Sequence, residues 1–369
     1  MTRVESLDGL RGLAALWVLI GHCMILTGFA LPILGTPDLG VDLFILLSGF
    51  LMAFQYNVRK EKEDWNVVGT WIKFWIKRFF RISPLYFTLL IVALTVGHSV
   101  YADRLVIDGF IGQPPQRPER YTDASLTNFL IHMTYIFGLM PDYAFRTPLP
   151  DWSIGLEMQF YAVFPFAVLL TRRVGWLPAA FCLCAAAVAI AFTTKRLGIF
   201  FPMPAFLPLK MHVFLAGMLI AAGIGRKGIV YLAPAALLAA LPIGGPHDIL
   251  HVLVRELIVI GFFALVHWRS VAWIDGLSGV LGSALFRWLG EVSFGVYLIH
   301  LLILHRVAAW IIEEWATAIS DVARFTIAIT ILVPVTYCIA YATYILIERP
   351  GQKLGRNLIA ALGRRRQAA

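Results

Sequence analysis

Long apolar blocks alternate along this chain with short basic junctions. A bilayer core needs about twenty mostly apolar residues per helix. Blocks of that kind fall near 10–29, 39–56, 81–98, 152–170, 177–193, 208–224, 229–243, 250–267, 288–311 and 325–347. The pattern predicts an all-α polytopic membrane protein with about ten transmembrane helices. A further apolar piece, SLTNFLIHMTYIFGLMP at 125–141, is short and interrupted by polar residues. It reads as a re-entrant or surface-lying segment whose backbone must be covered by protein, with an eleventh span as the alternative.

Composition agrees with this reading. The 369 residues are 59% hydrophobic and 14% charged, with mean hydropathy +0.77, whereas a soluble domain is roughly a quarter charged. The net charge of +9 does not point to nucleic acid, because the basic residues follow the junctions. They gather at Arg3, Arg11, 57–81, 172–173, 226–227, 269–287 and beyond 349, while Glu313, Glu314 and Asp321 fall on the other side. By the positive-inside tendency both termini are expected to be cytoplasmic. The organisation expected is one transmembrane domain over 1–350 and a short basic cytoplasmic tail over 351–369. The stretch 99–151, with its GQPPQRPERY, reads as a long external loop. In the 57–81 loop, Trp71, Phe74 and Trp75 suit the headgroup region, and Lys73, Lys77 and Arg81 recur on one helical face. Cys23, Cys182, Cys184 and Cys338 lie in apolar stretches without metal or redox spacing and read as packing residues.

Against this apolar background a few ionisable residues stand out, and such residues inside spans suggest function. In DGLRGLAALWVLIGH, Arg11 and His22 are eleven residues apart, about three helical turns and 16 Å in depth, so both line one wall. Ser153, Glu157 and Tyr161 in DWSIGLEMQFY form a second wall, and Ser293, Tyr297 and His300 in EVSFGVYLIH a third. Asp42 opens the second expected span. A simple hairpin places His22 opposite residue 47, nearer Ser48 than Asp42 in depth. Bland readings stand beside these. His300 alone fits a histidine hydrogen-bonded between helices, Glu157 fits a neutraliser of a nearby base, Arg78 and Arg81 fit a positive-inside anchor, and adjacent Arg255 and Glu256 fit an inert local pair.

An imidazole oriented by a carboxylate is a common device for taking a proton from an alcohol. The sequence has no G-x-S-x-G elbow and no H-E-x-x-H motif. Direct transfer from an activated donor to a hydroxyl therefore fits better than a covalent relay, and no metal site is expected. The rival is a multi-pass transporter or flippase using the buried His, Arg and Glu as an ion or substrate pathway.

The segments LDGLRGLAALWVLIGH, GVDLFILLSGFLM, KRFFRISPLY, DWSIGLEMQFY, LGEVSFGVYLIH and IERP, spread over residues 7–350, resemble in content and order those of acyltransferase family 3. These are integral-membrane O-acyltransferases of bacterial surface glycans and related lipids. The resemblance implies a ten-helix enzyme of the bacterial inner membrane. It would move an acyl group, usually acetyl, from cytoplasmic acyl-CoA to a hydroxyl of a glycan or glycolipid, with no permanently bound cofactor. It implies His22 as general base, Asp42 as its orienting acid and Arg11 as a donor contact. Arg78 and Arg81 match the R-x-x-R element associated with the CoA phosphates. Trp152, Ser153, Glu157 and Tyr161 match one site-lining element, and Ser293, Tyr297 and His300 another. Where the family frequently has two consecutive acids this chain has Glu157 followed by Met158. Many members carry a further extracytoplasmic domain, so either this membrane domain completes transfer or a separate extracytoplasmic partner helps.

Overall fold

A computed structural model describes residues 5–225, 228–245 and 248–368, with side chains from residue 6 to 364. Of the expected basic markers, Arg3, Arg226 and Lys227 lie outside the described residues, as do the side chains of Arg365 and Arg366. The helices are α1 (Glu5–Thr27), α2 (Pro37–Arg59), α3 (Val68–Ile111), α4 (Glu119–Thr122), α5 (Leu126–Met133), α6 (Trp152–Val174) and α7 (Trp176–Arg196). They continue with α8 (Met211–Ala222), α9 (Leu232–Ala239), α10 (Ile249–His267), α11 (Ala272–Leu281), α12 (Ala284–Trp315), α13 (Asp321–Thr343) and α14 (Arg349–Ala368). No strand occurs among the described residues.

Among the described residues eight helices are long and apolar enough to cross a membrane, and the chain is an all-α, multi-pass membrane protein. Two of the ten expected positions differ. The 208–224 block is the 12-residue α8, whose residues are all buried, and the 229–243 block is a helical stretch over 228–239. At 1.5 Å per residue each covers about 18 Å, short of a core of about 30 Å. A helix apolar on every face is buried either in lipid or in protein, and α8 is of the second kind, so hydropathy alone overstated its length. The 125–141 segment is likewise too short to cross. It is α5 plus one tight turn, broken at Tyr135 (φ 61°), with Asn128, His132 and Phe137 fully buried.

Other expectations are corrected at α3. It runs for 44 residues through Pro84, about 66 Å, so 99–111 is helix, with Asp103, Arg104 and Asp108 buried on it. Arg104 pairs with Asp108 one turn further along the same helix at 2.7 Å, while Arg306 of α12 reaches Asp103 at 2.7 Å and ties α3 to α12. Trp71, Phe74 and Trp75 pack inward: Trp75 Nε1 donates to Tyr161 O at 2.9 Å, and Phe74 stacks on Phe164 at 5.3 Å. Cys23 and Cys184 are buried, but Cys182 and Cys338 are exposed.

Burial is uneven, and it locates the site. The apolar windows of α2 and α12 are 78% and 72% buried, that of α7 only 22%. α7 presents Phe181, Ile190 and Phe192 outward, as a lipid-facing helix does, whereas α2 and α12 are central and carry Asp42, Ser48, Ser293, Tyr297 and His300. Glycine allows the close approach of these central helices. A Cβ on Gly290 would lie 2.0 Å from Asp8 O of α1, and one on Gly49 2.1 Å from Phe214 O of α8. The first contact brings the Arg11/His22 wall of α1 against the wall of α12.

Candidate active site

A cleft of about 800 Å³, counting the space at its open mouth, is lined by Arg11, Ser48, Gln55, Arg78, Arg81, Ser153, Glu157, Tyr161 and Tyr297, with apolar residues such as Phe44 and Phe294 between them. Five helices, α1, α2, α3, α6 and α12, thus deliver to one space most of the polar residues singled out in the sequence.

The acid of the cleft is held by two hydroxyls. Ser48 Oγ donates to Glu157 Oε1 at 2.9 Å, and the Tyr161 hydroxyl donates to the same oxygen. Three guanidiniums, of Arg11, Arg78 and Arg81, line the same cleft. Arg78 donates to Gln55 Oε1 at 2.5 Å and lies 5.6 Å from the ring centroids of both Phe74 and Tyr161. Arg11 is surrounded electrostatically by Arg81, Glu157, Asp8 and Tyr161. Buried Glu348 is brought inward by a widened helical turn at Tyr344–Glu348. Among the residues lining the cleft, three cations stand against one carboxylate, an excess that suits an anionic ligand.

Ser153 and Tyr297 close one end. The Tyr297 hydroxyl donates to Pro150 O at 2.7 Å. Having one proton, it can only accept from Ser153 Oγ, 2.8 Å away. The start of α6 is fixed further by Asp151, which accepts from Tyr86 at 3.0 Å and from Thr147 at 2.9 Å; Trp152 is buried beside it. Replacing Tyr297 with phenylalanine leaves the Pro150 carbonyl without this donor, at an expected cost of about 1–3 kcal/mol. A lowered thermal unfolding midpoint in detergent would record it; an unchanged midpoint would mean another group serves that carbonyl.

Beyond Tyr297 lie the two histidines, which do not line the cleft. The Tyr297 and His300 rings are 6.2 Å apart, and His300 is fully enclosed while His22 keeps partial exposure. His300 Nδ1 faces the carbonyls of Tyr297 (2.7 Å) and Val296 (3.2 Å). Carbonyls only accept, so in the neutral ring Nδ1 carries the proton and Nε2 the lone pair. That Nε2 is 3.1 Å from His22 Nδ1, which also faces Val18 O at 3.0 Å. Two acceptors on one nitrogen assign the proton of neutral His22 to Nδ1. The hydrogen-bond network therefore leaves His22 Nε2 as an unprotonated imidazole nitrogen.

Asp42 is not brought to His22. Its carboxylate is 2.5 Å from Lys210 Nζ and 3.9 Å from Arg255 Nε, all three groups being buried. The orienting groups of His22 are His300 and the Val18 carbonyl instead, because α2 enters the bundle with Asp42 facing α8 and α10. Arg255, adjacent to Glu256, accordingly belongs to this buried cluster as well. Ser293 also has a local role, donating to Gly290 O at 2.8 Å. Two site residues had been missed. Gln55 lies seven residues after Ser48, hence on its face of α2, and Lys210 is a lone cation in the apolar run LPLKMHVF, a signal in its own right.

Residues 4–345 match the acyltransferase domain of acyltransferase family 3, and the chain belongs to this family of membrane acyltransferases. It is similar to acyltransferase MdmB of Streptomyces mycarofaciens, 27% identical over all of this chain and 95% of that protein. It is also similar to the peptidoglycan O-acetyltransferase OatA of Listeria monocytogenes, 29% identical over 45% of this chain but only 24% of OatA. No solved structure matches it. The chain is therefore an enzyme, an O-acyltransferase.

Proposed function

We propose that the protein transfers an acyl group, most often acetyl, from cytoplasmic acyl-CoA to a hydroxyl of a surface glycan or glycolipid at the bacterial inner membrane. The observation that carries this reading is the His22 Nε2 lone pair, fixed by His300 on the far side of Tyr297 from a cleft with three arginines. The glycan acceptor is supported by the name of OatA. In this mechanism the acceptor oxygen attacks the thioester carbonyl carbon while His22 Nε2 removes the hydroxyl proton. The carbon–sulfur bond then breaks, and the CoA thiolate leaves and is protonated to free thiol. While His22 is cationic, its Nδ1–H points at His300 Nε2, which shares the charge. The guanidiniums of Arg11, Arg78 and Arg81 bind the donor's phosphates, and Glu157 and Gln55 position them.

The test is release of free thiol from acetyl-CoA by the protein in lipid vesicles. Release is expected to rise on adding a crude surface-glycan extract. If no extract stimulates release above that of empty vesicles, a glycan acceptor is ruled out.

A further inference from the structure

The arginine cleft does not end at Arg78. A second chamber, about 660 Å³ including its open mouth, adjoins it, and Met52, Gln55 and Arg78 line both. Its walls are the end of α2, the 60–67 loop, the start of α3 and Phe164 of α6. Arg59, Lys62, Lys73 and Lys77 line it together with Arg78, against the acids Glu63 and Asp64.

These acids do not cancel the cations. Glu63 lies between Arg59 (3.6 Å) and Lys77 (3.9 Å). Asp64 pairs with Arg172 at 3.4 Å, and the backbone N–H of Asn66 holds its carboxyl below the usual carboxylate range. Lys62 and Lys73 make no ion pair among the described residues. The chamber is also built in advance of any ligand. Thr70 Oγ1 donates to Asp64 O at 2.6 Å, Trp71 Nε1 to Trp65 O at 2.8 Å, and Glu63 N to Arg59 O at 2.8 Å. Trp65, 4% exposed, packs edge-on against Tyr56 and Phe164 beneath the loop.

The order of the cations along α3 ties the two chambers together. Lys73 and Lys77 line the second, Arg78 both, and Arg81 the first. Lys73, Lys77 and Arg81 are one turn apart each, so the row runs about 12 Å along one face. A ligand that fits it is elongated, with several phosphates at one end and an uncharged arm reaching past Arg81 towards Tyr297.

We propose that the second chamber binds the phosphorylated nucleotide end of the acyl donor, with Lys62, Lys73 and Lys77 on its terminal phosphate and Arg78 at the turn into the reaction cleft. This deepens the acyl-CoA reading and rests on it. An anionic lipid headgroup carries the same phosphate chemistry, so the test separates the two sources.

The experiment measures KM for acetyl-CoA and for S-acetyl-4′-phosphopantetheine, which keeps the thioester arm but lacks the nucleotide, in pure phosphatidylcholine vesicles. In the native protein acetyl-CoA has the lower KM. In the Lys73→Gln/Lys77→Gln protein its KM is expected to rise about tenfold or more, the loss of roughly 1.4 kcal/mol of binding. kcat at saturation is maintained, and the preference over the truncated donor shrinks by the same factor. Lys60→Gln removes a charge from the same loop outside the chamber and is expected to leave that preference in place. The proposal is overturned if both donors lose affinity equally, if neither does, if Lys60→Gln has the same effect, or if the effect needs anionic lipid. If the native protein turns over neither donor, the acyl-CoA reading itself fails.

Discussion

The His22→Ala protein is expected to fold and insert normally and to lose about 10²–10⁴ in kcat, the usual contribution of a positioned general base. His22 keeps partial exposure, so its removal opens no sealed cavity. In the proposed mechanism the fully enclosed His300 acts through His22, its Nε2 accepting from His22 Nδ1 at 3.1 Å. His300→Ala is therefore expected to lower kcat by a smaller factor and to shift the pH profile. The double variant should be no slower than His22→Ala alone, since residues acting as a unit are not additive. Steady-state kinetics of the three variants decide this. Multiplying losses would place His300 in a separate role.

The second large effect is at Asp42, and it is one of stability. With Lys210 2% exposed and its ammonium 2.5 Å from Asp42, Asp42→Asn leaves a buried cation without its counter-ion. Breaking a buried pair in this way costs about 3–5 kcal/mol. Equilibrium unfolding in mixed micelles is expected to show that loss, while the pH dependence of the remaining activity stays in place. Adding Lys210→Met to Asp42→Asn removes the nearer cation, leaving Arg255 in place, and should recover part of the stability. If Asp42→Asn unfolds like the native protein but shifts the pH profile, Asp42 acts on the base after all.

These two sites show what the sequence carried and what it did not. The three polar walls were legible because helical periodicity fixes which side chains share a face. Arg11, Ser153, Glu157, Tyr161 and Tyr297 duly line one cleft. His22 and His300, each placed at the same expected depth, do meet. Depth arithmetic also favoured Ser48 over Asp42 as the neighbour of the α1 wall, and Ser48 is the one that reaches the cleft. What periodicity could not supply was which helix each polar face meets. Asp42 faces α8 and α10 because Gly49 lets α2 approach Phe214 closely, a tertiary fact. The length of α8 was illegible for a related reason: an apolar run looks the same whether lipid or protein covers it.

The central claim is that one buried compartment moves an acyl group from the arginine cleft to a hydroxyl activated by His22. Its most direct test uses acetyl-CoA labelled in the acetyl group, given to native and His22→Ala protein in lipid vesicles with a surface-glycan extract. Label covalently bound to the glycan, as a base-labile ester, is expected with the native protein and not with the variant. Equal labelling by both proteins would contradict it.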